Sequence, residues 1–94
     1  MIRIMTTNEP ASTTVTVDGR LSDANVEPVQ TSCMEALSIV KPVRLHLRDV
    51  CAIDERGRTL LRHLSSKGVN LSANGIYSSY IVDEIQSAGM KARR

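Results

Sequence analysis

The segment Asp54-Glu55-Arg56-Gly57-Arg58-Thr59 concentrates the side chains of this 94-residue chain that could do chemistry. It follows the apolar run Leu45-His46-Leu47-Arg48-Asp49-Val50-Cys51-Ala52-Ile53 and precedes Leu60 and Leu61. This order reads as a buried strand, a tight loop and an acidic helix start. A helix mouth at the carboxyl end of a strand offers unpaired N–H groups and a positive dipole end, where α/β sheets take ligands and partners. Asp54 and Glu55 have a structural use there, as N-cap and dipole complement. With Arg56 and Arg58 they also form a mixed-charge recognition patch, and such rim charges set encounter rate and register with a protein partner. Arg56, Arg58, Arg62 and His63 invite an anion site on one helix, yet Gly57 stands alone without the glycine pattern that lets backbone wrap a polyphosphate. His46, His63, Cys33, Cys51 and the serines show neither zinc-ligand spacing nor a Gly-x-Ser-x-Gly nucleophile elbow. The expectation is therefore no catalytic residue, no metal site and no cofactor.

The elements that must position this segment follow from periodicity. Ile2 and Ile4, and then Thr14 and Thr16 against Val15 and Val17, alternate with period two around Asn8-Glu9-Pro10-Ala11-Ser12, which predicts an antiparallel strand pair. Ser22 or Asp23 is placed to cap a helix whose apolar stripe is Val26, Val29, Cys33, Leu37 and Val40, with Pro28 pushing its regular start later than Ala24. Lys41-Pro42 ends that helix, and Val43, Leu45 and Leu47 then alternate with Arg44, His46 and Arg48 along a strand. A second helix from Asp54 or Glu55 turns Leu60, Leu61 and Leu64 inward and stops at Lys67-Gly68. A strand from Val69 to Ala73 leads through Asn74-Gly75 to a last helix opened by Ser78 or Ser79 and carrying Ile81, Val82 and Ile85, with a frayed tail over 89–94. The order ββαβαβα predicts one α/β domain over 1–94, a mixed four- to five-stranded sheet with helices packed on it.

Composition narrows the function. A formal charge of +2, with Tyr77 and Tyr80 the only aromatics, argues against nucleic acid and removes a base-stacking platform. No apolar run approaches the roughly 20 residues needed to cross a bilayer. The Met1-Ile2-Arg3-Ile4-Met5 start lacks a secretory h-region, so a cytoplasmic protein without membrane insertion is expected. Both cysteines sit where apolar side chains are wanted and are expected as buried, reduced thiols.

Two segments, Val15 to Ser22 and Leu45 to Gly57, resemble the STAS domains of sulfate transporters and anti-sigma factor antagonists. Val15-Thr16-Val17-Asp18-Gly19-Arg20-Leu21-Ser22 is similar to the family's strand ending in Gly-x-Leu before the first helix. Leu45 to Gly57 is similar to its strand, short loop and Asp-[Ser/Thr]-[Ser/Thr]-Gly, and Leu60, Leu61 and Gly68-Val69-Asn70-Leu71 continue the match in order. The resemblance implies a non-catalytic interaction module in transcriptional or signalling regulation, binding an anti-sigma factor, a GHKL-type kinase or a related regulator. The implied partner surface is Asp54, Glu55, Arg56, Gly57 and Arg58 with Ser22 and Asp23, extended by Asp18 and Arg20 if they lie on the neighbouring loop. Arg56 occupies the family's phosphorylated Ser/Thr position and Glu55 the preceding hydroxyl position, so the phospho-switch does not carry over. A phosphate would add roughly −1.5 to −2 charge, where Arg56 supplies a positive one. Thr59, one turn into the helix, is not expected to replace that acceptor. Two other partners fit the resemblance or the pattern: the ATPase of an ABC-type lipid transporter, beside which STAS-like subunits sit, and a second copy of the chain through its Thr-rich first strand edge.

Overall fold

The computed structural model describes residues 2–39 and 41–92, with side chains through Gln86. Its elements run β1 (Ile2–Asn8), β2 (Thr13–Leu21), a 3-10 turn (Asp23–Asn25), α1 (Val26–Leu37), β3 (Val43–Ile53), α2 (Glu55–Ser66), β4 (Asn70–Ala73) and α3 (Ile76–Ala92). The sheet has four strands in the order β1-β2-β3-β4, so the expected ββαβαβα mixed sheet is present, with no fifth strand among the described residues. β1 pairs antiparallel with β2, while β2–β3 and β3–β4 are parallel crossovers through α1 and α2.

One phase of each inner strand builds the core. Val15, Val17, Leu45, Leu47 and Leu71 are buried under Val29 and Cys33 of α1, Leu60, Leu61 and Leu64 of α2, and Ile81, Val82 and Ile85 of α3. The opposite phase carries Thr14, Thr16, His46 and Ser72, none of them buried, and the exposed Arg44 and Arg48, so the helices cover a single face. On the open face Arg48 forms a bidentate pair with Asp18 of the neighbouring strand, its Nε donating to Oδ1 at 3.0 Å.

Several expected boundaries move, each for a local reason. β3 runs through Val50-Cys51-Ala52 to Ile53 and absorbs the change of phase after Leu47 in register shifts at Val17/Asp18 and Gly19/Arg20. That irregularity turns Cys51 outward, so only Cys33 is a buried thiol and Cys51 is exposed. Asp18 and Arg20 lie in β2 rather than on a loop. Ser22 and Asp23 lead into the 3-10 turn, where Ser22 makes no side-chain cap bond. Pro28 is accommodated in the first turn of α1, where its missing N–H would have no helical acceptor. α1 ends at Leu37, ahead of Lys41-Pro42, as Ser38 and Ile39 turn back onto the Glu35 and Ala36 carbonyls. Val40 lies outside the described residues. β4 starts at Asn70. α3 starts at Ile76, directly after Gly75 at φ +88°, so Ser78 and Ser79 are inside the helix. The expected fraying over 89–94 falls on side chains, and at 93–94 on backbone, outside the described residues.

Candidate functional site: the mouth of α2

β3 ends one residue before the N-cap of α2, and that junction is built from several directions. Asp54 has extended backbone, and its Oδ1 accepts from the Gly57 N–H at 2.9 Å, the bond expected of an N-cap. Its Oδ2 accepts at 3.1 Å from the N–H of Asp23, which sits at φ +47° at the start of the 3-10 turn. Asp tolerates this left-handed geometry better than most residues. One carboxylate thus ties the β2–α1 turn to the β3–α2 turn. These bonds, the Gly57 N–H foremost, hold the Asp54 carboxyl below its ordinary range, with Arg56 adding to the effect.

Gly57 is fixed by space. A β-carbon there would lie 2.3 Å from the Leu21 carbonyl oxygen and 2.9 Å from Ile53 Cγ2, so the first turn of α2 can seat against β2 only with glycine. The same Leu21 carbonyl accepts from the Asp54 N–H at 3.3 Å.

α3 supports the junction from the far side. β3 overhangs its short neighbour, since β4 pairs only with Arg44 to Leu47. The bare backbone beyond is satisfied by side chains: Ser78 Oγ donates to the Val50 carbonyl at 2.9 Å. Tyr77 Oη accepts from the Ile53 N–H at 3.1 Å and lies 3.2 Å from the Ile53 carbonyl. Arg58 reaches Glu84 of α3 at 2.9 Å. Sequence reading missed Tyr77 and Ser78 in these roles. No local pattern marks them, because the overhang they complete is defined only once β3 is paired with β4.

The seven expected site residues therefore converge, with different exposure. Asp54 and Gly57 are scaffold, Arg58 is partly engaged by Glu84, Ser22 is half-buried, and Asp23, Glu55 and Arg56 point their side chains to solvent. Between α1 and α2 beside them lies a groove of about 390 Å³ lined by Val26, Gln30, Glu55, Arg56, Thr59, Leu60 and His63. On the other flank Ile76 and Tyr80, one helical turn apart, are 92% and 66% exposed. His46 Nδ1 meets Ser72 Oγ at 2.9 Å on the open sheet face, away from this mouth. Among the described residues no group of three or more His, Cys, Asp and Glu is placed to hold a metal ion.

The fold of this chain is found among solved structures. An anti-sigma factor antagonist from Mycobacterium paratuberculosis superposes with a TM-score of 0.77 at 15% identity, over 99% of this chain and 82% of that one. A structure of Mglu is similar over 77% of this chain and 19% of its own, with a TM-score of 0.59 and 22% identity. No protein-family model matches the chain, and no curated protein matches it. The chain has the fold of the anti-sigma factor antagonists, the STAS fold, along essentially its whole length. Among the described residues no helix is long and apolar enough to cross a membrane.

Proposed function

We propose that the protein is a non-catalytic interaction module that binds a protein partner through the mouth of α2. Asp23, Glu55 and Arg56 are the recognition charges, Thr59 and the α1–α2 groove lie beside them, and Ile76 and Tyr80 offer apolar anchors on the other side. The observation that carries this reading is the Asp54 carboxylate. It holds two turns in one fixed relation and leaves the neighbouring charged side chains outside that bonding, which is preorganisation of a binding surface. Exposed tyrosine beside charge is the composition of interface anchors.

The anti-sigma factor antagonist fold makes an anti-sigma factor, a GHKL-type kinase or a related regulator the proposed partner, in the cytoplasm. Regulation by phosphorylation at the family's position is not part of the proposal, because Glu55 and Arg56 carry no hydroxyl. The test is affinity capture from a lysate of the native host with tagged wild type and an Arg56→Ser, Glu55→Ser variant, read by mass spectrometry. Wild type is expected to recover such a regulator and the variant to lose it. Recovery of an ABC-type ATPase in its place assigns the module to transport and overturns the signalling assignment.

A further inference from the structure

The two edges of the sheet are finished differently. β4 is four residues long, and Gln86 Nε2 donates to its Leu71 carbonyl at 3.2 Å. β1 runs for seven residues, Ile-Arg-Ile-Met-Thr-Thr-Asn, with neither Lys nor Pro. Its register with β2 is unbroken, so no bulge turns it away from a further strand. Among the described residues no side chain or loop bonds its backbone on the side away from β2.

We propose that β1 pairs antiparallel with β1 of a second copy of this chain, about a two-fold axis at Met5. The register that overlaps the whole strand sets Met5 against Met5, Ile4 against Thr6, Arg3 against Thr7 and Ile2 against Asn8. No like charges meet, because Arg3, the strand's one charged residue, faces a threonine. Ile2 and Ile4 share the helix face of β1 with Thr6 and Asn8, and in the monomer they are only half-buried against the core. A second feature lies where the partner's isoleucines arrive. Thr6 and Asn8 form one wall of a groove of about 250 Å³ whose other wall is the end of α1, with Ala36 and the 47% exposed Ile39. The pairing that sets the partner's Ile4 and Ile2 opposite Thr6 and Asn8 delivers them to this groove, and the two-fold axis repeats the contact. Exposed Met5 side chains meet on the open face at the axis. A seven-residue strand pair with one apolar contact on each side is a small interface, so the dimer is concentration-dependent.

Sedimentation equilibrium of the full chain from micromolar to millimolar concentration tests this. Wild type is expected to rise from one-chain toward two-chain mass. Met5→Lys places like charges at the axis outside the core and should raise the dissociation constant at least about tenfold with an unchanged thermal melt. In a Cys51→Ser background, Met5→Cys should cross-link under oxidised glutathione and Thr7→Cys, which would face Arg3, should not. A one-chain mass at every concentration overturns the proposal, as does a dimer indifferent to Met5→Lys or equal cross-linking at the two cysteine positions.

Discussion

Gly57 is the residue on which the mouth of α2 most narrowly depends. Its missing side chain lets Leu21 and Asp54 meet, and its N–H is one of two held by the Asp54 carboxylate. Gly57→Ala forces backbone apart where no flexible side chain can yield, and is expected to lose about 1–3 kcal/mol in urea denaturation. Asp54 contributes with a definite pH sign. Its folded-state pKa lies below the ordinary 3.8, so its stabilisation is complete above that value and disappears as pH falls through the lowered one. Wild type should therefore exceed Asp54→Asn in stability at neutral pH, and the difference should vanish in strong acid; a constant difference across that range would show that the charge is not the cause. The thiols separate equally clearly. Burial pushes Cys33 up to about 11, whereas Cys51 is exposed. An aromatic disulfide reagent at mild alkaline pH should titrate one thiol per chain in the native protein and both after denaturation.

Among the elements, the mismatch between β3 and β4 decides how the site is held. β3 continues past the end of β4 to bring Ile53 and Asp54 to the mouth, and the unpaired backbone is completed by Tyr77 and Ser78 from α3. Ser78→Ala leaves the buried Val50 carbonyl without its donor and should cost about 1–3 kcal/mol, with faster amide exchange through Val50 to Asp54. This support was not legible in the sequence, since a serine in the first helical turn reads equally as a cap and as a reach to another element. The strand and helix order was legible, because alternation at Val15/Val17 and Leu45/Leu47 and the Leu60/Leu61/Leu64 stripe each report one local period. Cys51 is exposed where a buried thiol is expected because the register of β3 with β2 shifts beyond Leu47. A bulge shifts the side-chain phase, and alternation carries no signal for a bulge until the partner strand is known.

At the scale of the molecule, three helices on one face leave the sheet's other face and the β1 edge open, while the carboxyl ends of β2 and β3 converge on the α2 mouth. The structure brings together the two segments that carry the resemblance, Val15 to Ser22 and Leu45 to Gly57: Leu21 supplies the carbonyl and Gly57 the space to approach it. What no local pattern could show is which of the converging residues are already engaged, because Asp54's second partner lies 31 positions away at Asp23. The proposed function has the exposed charges of this mouth, Arg56 above all, bind the partner. Its most direct test is the affinity of the captured, purified partner for wild type, for Arg56→Glu and for Lys67→Glu, a charge reversal of equal size at the opposite end of α2. Arg56→Glu is expected to lose at least about tenfold in affinity with Lys67→Glu unchanged, and equal affinity across all three proteins would rule out this mouth as the binding surface.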